Sequence, residues 1–209
     1  SNGIPVNTDY YKHSEFTYEG LHVENHRFCC SVKRGKRTKE LEAYLQDLLR
    51  KDEAEYIHGS KLALPPLMFQ ALFLLEHACG HFLYEKMTLK HICDWAMFRK
   101  HYKEKLDWQE FDQVCLRFSL RTFAETMNHL ADYLLGDISY SHLSTLDKRV
   151  LEDTFKEICL PKGNAMQRIR KAMDVLRSGW KFRHYNDVSM IKELSHSFFA
   201  YLLEKDVRL

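Results

Sequence analysis

Proline and glycine are scarce, with four and eight in 209 residues. A chain with so few breakers has little room for long loops or linkers, and helices are favoured. Charge is nearly balanced, at a formal +2, so nothing in it demands a nucleic-acid partner. No two cysteines stand in a CxxC spacing, which argues against a zinc knuckle or a dithiol redox motif. No apolar run reaches membrane length. Walker, GxGxxG, GxSxG and HExxH patterns are all missing, and with them the chemistries those motifs serve. No His-Asp dipeptide occurs, which sets aside the metal phosphohydrolases that use such a pair. No repeat with a period of roughly 20–50 residues is present, so the chain does not read as a solenoid.

Apolar residues make up 45% of the chain and aromatics 13%, ample for a core. The six cysteines are at 29, 30, 79, 93, 115 and 159. Four fall on apolar helix positions, where a free thiol packs as a small hydrophobe. With no signal-peptide pattern, the expected compartment is a reducing cytoplasm.

The stretch from Leu64 to Phe98 organises the rest. Pro65 and Pro66 suit a first helical turn, where a backbone N–H is not needed. From Leu67 to Tyr84 apolar residues occupy nearly every face, as in a helix buried on all sides. Gln70, Glu76, His77 and His81 make it too polar for a membrane span. His77 and His81 are one turn apart and share a face. That spacing can hold a metal, although hydrogen-bonded core histidines are its commoner use. Thr88 then caps a second helix. Leu89, Ile92, Cys93 and Ala96 form its apolar face, and His91 and Asp94 point elsewhere.

Upstream, residues 4–30 are the one convincing β region, with strands expected near 14–18 and 21–29 around Glu19-Gly20. Glu19 suits a two-residue loop poorly, so the expected turn is type I with a glycine bulge. Alternation sets Leu21, Val23, Asn25 and Arg27 on one face of the second strand. His22, Glu24, His26 and Phe28 take the other. A carboxylate thus sits between two imidazoles. A solvated outer face is the commoner source of that pattern; the sharper reading has Glu24 facing an open cleft. A lone hairpin is marginal, and its open edge invites pairing with a second copy of the chain.

Amphipathic helices follow: about Thr38–Lys51, then one opened by an Asp107–Glu110 capping box, and one carrying Phe123, Met127, Leu130 and Leu134 that stops at Gly136. Further helices carry Leu146 to Ile158, Met166 to Leu176, and Asp187 to Leu202. Between 162 and 184 seven basic residues face one acid, Asp174. Such a run is usually a solvated face; the alternative is a surface for phosphate or an acidic partner.

HSEFTYEGLHVENHR, the apolar helix with LEHACGH, and LKHICDWAMF together resemble the later half of the bacterial uncharacterised nucleotidyltransferase family. That family in turn resembles the polymerase-beta-type nucleotidyltransferases. The shared pattern falls on His13, Glu24 with His26, His77 with His81, and Lys90-His91 with Asp94, over roughly residues 10–135. The resemblance implies transfer of a nucleoside monophosphate from a triphosphate to an acceptor. It implies Glu24 as catalytic residue and Mg²⁺ ligand, and His26, His77, His81 and Asp94 at the substrate. Arg168 and Lys171, from the basic run, are further candidates at the substrate. Such enzymes also carry an Asp-x-Asp pair, and this sequence has none. The expectation is therefore a C-terminal portion, inactive alone and without its own Mg²⁺ site until the missing carboxylates are supplied.

The expected fold class is mainly α (α+β): an N-terminal β-hairpin in residues 1–35, then a multi-helix bundle over 36–209. Two rivals accompany the enzyme reading. One is a non-catalytic helical module that binds an acidic or phosphate-bearing partner through 162–184. The other is a degenerate member kept as a scaffold.

Overall fold

The computed structural model describes residues 4–9, 12–30, 35–50, 55–56, 59–60, 63–84, 87–158 and 179–185. They fall into two compact units that divide between residues 52 and 53. Helices dominate, behind an N-terminal antiparallel hairpin.

In the first unit, β1 (His13–Tyr18) pairs with β2 (Leu21–His26). The turn differs from the expected bulge. Glu19 and Gly20 both have positive φ, 49° and 80°, and Tyr18 pairs directly with Leu21. This is a two-residue loop of the type I′ kind, whose twist matches that of the strands. That match offsets the left-handed conformation of Glu19, which costs roughly 1–2 kcal/mol. A single bridge adds Asn7 to the outer edge of β1 at Glu15.

Helix α1 (Lys36–Arg50) buries Leu41, Leu45 and Leu48, while the adjacent Leu49 is exposed. Glu42 is buried among them. Its carboxylate accepts the Cys30 backbone N–H at 2.7 Å and the Gln46 amide at 2.7 Å, fastening the end of the hairpin segment to α1. Glu42→Ala should therefore lower stability by about 1–3 kcal/mol, the cost of a buried donor left without a partner. Chemical denaturation checks this; an unchanged midpoint would mean the contact does not hold the unit together.

The second unit opens with an element that the sequence reading did not contain, a ribbon of β3 (Glu55–Tyr56) and β4 (Ala63–Leu64). Two-residue strands are too short to show alternation. Helix α2 (Leu67–Tyr84) follows, with Leu72, Leu75, Ala78 and Cys79 at most 1% exposed, as its lack of a polar face requires. Burial is not complete all round, because Phe73, Leu74, His77, Gly80 and His81 form a partly open side.

Helix α3 (Leu89–His101) starts at the Thr88 N-cap. Ile92, Trp95, Ala96 and Phe98 are buried, whereas Cys93, placed by sequence on that face, is exposed. Helix α4 (Trp108–Arg117) is capped by Asp107, whose side chain accepts the Glu110 N–H at 2.9 Å. Helix α5 (Arg121–Leu135) ends at Gly136, φ 83°. Helix α6 (Thr145–Ile158) buries Val150 and Leu151 but exposes Phe155. Helix α7 (Gly179–Tyr185) closes the described part.

The core joins Trp95, Phe82, Phe111, Phe118, Phe123 and Tyr185, all fully buried. The polar edges of its aromatic side chains are matched. Trp95 Nε1 donates to Asn128 Oδ1 at 3.0 Å, and the Tyr185 hydroxyl meets Thr126 Oγ1 at 3.1 Å. Burial raises the Tyr185 phenol further above its ordinary range. Arg99 ties α3 to α5 through Asp132 at 2.7 Å and the Asn128 carbonyl at 3.2 Å. Burial, with Glu42 and Asp112 respectively, pushes the Cys29 and Cys115 thiols up to about 12. Both are packing groups rather than nucleophiles. Among the described residues, no helix is long and apolar enough to cross a membrane.

Candidate active site

The register of the hairpin builds the first cluster. His13 stands opposite His26, Glu15 opposite Glu24, and Thr17 opposite His22. Cross-strand partners share a face, so one side of the ribbon carries two carboxylates flanked by three imidazoles. Like charges set directly opposite are unfavourable, and the histidines answer them. His13 Nε2 lies 2.7 Å from Glu15 Oε1. His26 Nε2 lies 3.2 Å from Glu24 Oε2, and His22 Nε2 3.8 Å from Glu24 Oε1.

Slight burial acts to raise the pKa of the Glu24 carboxyl. The hydrogen bond from His26 and the charges of His13, His26 and His22 outweigh it, and the carboxyl sits below its ordinary range. Glu24 is therefore anionic at neutral pH, and its side chain is 45% exposed. The ligand atoms of His13, Glu24 and His26 all lie within 4.8 Å of one another, as do those of Glu15, His22 and Glu24.

His13 and Glu15 did not enter the sequence-derived set of site residues, although His13 belongs to the family pattern. Alternation along β2 alone cannot place a residue of β1. The signal was the loop length: two residues at Glu19-Gly20 fix Tyr18 against Leu21, and pairing back from there brings Glu15 to Glu24.

The second cluster belongs to α2 and α3. Phe69, Phe73, His77 and His81 follow one another at i,i+4, with ring centroids 5.9, 5.8 and 4.5 Å apart. His91, at the third position of α3, comes within 5.6 Å of His77 and 4.6 Å of His81, ring to ring. Its Nδ1 accepts the Thr88 backbone N–H at 3.1 Å and lies 3.0 Å from Thr88 Oγ1. Burial, and then the neighbouring His81, lower the basicity of His91. The ligand atoms of the three lie within 4.8 Å of one another and all three side chains are half-buried. Asp94 is one helical turn further on and pairs with Lys90 at the surface of α3.

Of the basic run, Lys181 and Arg183 are described. Lys181 is not a solvated cation: it is buried, donates to the Phe82 carbonyl at 3.2 Å and pairs with Asp153. Its ammonium also lies 4.3 Å from the centre of the Phe82 ring, so it serves packing. Arg183 is exposed. Arg168 and Lys171 lie outside the described residues, as do the helices expected over Met166 to Leu176 and Asp187 to Leu202.

The fold and the clusters define a mainly helical protein whose hairpin presents a carboxylate–imidazole face suited to binding a cation. Residues 1–136 match the family described as uncharacterised nucleotidyltransferase, and the chain belongs to that family. No curated protein and no solved structure matches it significantly.

Proposed function

We propose that this chain supplies the third carboxylate, Glu24, of a metal-dependent nucleotidyltransferase, which moves a nucleoside monophosphate from a triphosphate to an acceptor. The observation that carries the reading is the exposed, anionic Glu24 opposite Glu15, in a member of a nucleotidyltransferase family. Mg²⁺ takes hard oxygen ligands. Glu24 and Glu15 offer such oxygens on one face, and the imidazoles orient them by hydrogen bonds. The donor set therefore fits the ion. When bound, the metal would neutralise charge on the reacting phosphates.

The chain's own residues then have separate tasks. Glu24 holds charge at the phosphate end. His26 keeps that carboxylate ionised and oriented, and can donate to a phosphate oxygen when protonated. His77, His81 and Asp94, with Arg168 and Lys171 from the basic run, are proposed to contact substrate. The sequence contains no Asp-x-Asp, so that pair is proposed to come from outside these 209 residues, and the chain alone is proposed to be inactive.

Calorimetric titration tests the assignment, with Mg²⁺ and then each nucleoside triphosphate added to the protein that carries the pair. Glu24→Gln should lose the metal-dependent part of triphosphate binding. Equal binding by wild type and variant would move the reading to the non-catalytic module.

A further inference from the structure

We propose that His77, His81 and His91 form a binding site for a first-row transition-metal dication, Zn²⁺ above all, that clamps α2 to α3. All three ligands belong to the second unit, and a dication held there would stand between the imidazoles of His77 and His81 and the substrate they are proposed to contact. Its donor set is three imidazoles, which suit zinc, copper, iron or nickel and not Mg²⁺.

The geometry comes from two local features. An i,i+4 pair on α2 supplies His77 and His81. The Thr88 cap sets His91 at the first turn of α3, facing them. The ligand atoms already lie within 4.8 Å of one another. Tetrahedral ligands about 2.0–2.1 Å from zinc stand roughly 3.3 Å apart. Closing the site therefore needs shifts of at most about 1.5 Å, which staggered side chains can supply by small χ adjustments. Three protein ligands leave the fourth position to water, and the half-burial of all three side chains leaves a path for the ion.

His91 also has a built-in supporting contact. Binding through Nε2 requires the Nδ1–H tautomer, and that proton has Thr88 Oγ1 at 3.0 Å as its acceptor. A hydroxyl partner of this kind orients a metal-binding imidazole. The backbone N–H of Thr88 pairs with Nδ1 only in the metal-free tautomer, so loading exchanges one half of the cap for the other.

The test uses the full chain, stripped of metal and titrated with Co²⁺ and then Zn²⁺. One equivalent of Co²⁺ should give the intense visible absorption of a four-coordinate site, and Zn²⁺ should displace it. Removing an outer-shell partner costs roughly 10–100-fold in metal affinity, so His77→Gln and His81→Gln should each cost at least as much. His26→Gln, on the hairpin, should leave the spectrum unchanged. X-ray absorption of the Zn²⁺-loaded wild type needs no variant and should count three imidazoles. Failure to bind either ion would overturn the site. So would a spectrum lost with His26→Gln and kept with His77→Gln, or two or fewer imidazoles around the zinc.

Discussion

Trp95→Ala is expected to lower the unfolding free energy of the second unit by about 3–5 kcal/mol, the range for truncating a fully buried aromatic. Trp95 is 1% exposed. Its indole packs against Phe98, Trp108 and Phe111, with ring centroids 6.0, 6.3 and 5.8 Å away. It thus joins α3 to α4. Its Nε1 also satisfies Asn128 on α5, and alanine would leave that amide oxygen without its donor. Trp95→Phe separates the two effects. It keeps most of the ring and loses the hydrogen bond, and should cost clearly less than alanine. Guanidinium unfolding followed by far-ultraviolet circular dichroism reads both. Equal losses in the two variants would mean that the hydrogen bond, rather than packing, holds the three helices.

The long elements were legible because their patterns are long. Helix α2 has no polar face over eighteen residues, and only a central position accommodates that. Gly136 and Asp107 mark helix ends by backbone chemistry that survives in any context. The errors lie where neighbours decide. Cys93 fits an apolar stripe yet is exposed, and period alone does not say how wide the covered stripe is. Lys181 reads as one cation in a basic run. Its burial follows from the Phe82 carbonyl and Asp153, partners distant in sequence.

The candidate site divides the same way. Glu24 between His22 and His26 is visible from alternation. Glu15 becomes its partner only through the register, and the register depends on Glu19 adopting a left-handed conformation that its side chain disfavours. The pair His77 and His81 is visible from helical spacing. The addition of His91 depends on how α3 packs against α2, which no local pattern contains.

The most direct measurement for the central claim is pyrophosphate release from each nucleoside triphosphate with Mg²⁺ and a deproteinised cell extract as the source of the acceptor, using the protein that carries an Asp-x-Asp pair, with Glu24 and with Glu24→Gln. The substitution removes a charge and almost no volume at a half-exposed position; because the lowered pKa of Glu24 means its charge favours the folded state, unfolding stability should fall by at most about 1 kcal/mol, the range for exposed ion pairs, with the fold kept. Turnover depends on the charge, since a neutral amide is a poor ligand for a hard dication. With the acceptor present the wild type should release pyrophosphate in a Mg²⁺-dependent way, and a fully folded Glu24→Gln protein should release none above background. Equal turnover by the two proteins would contradict it.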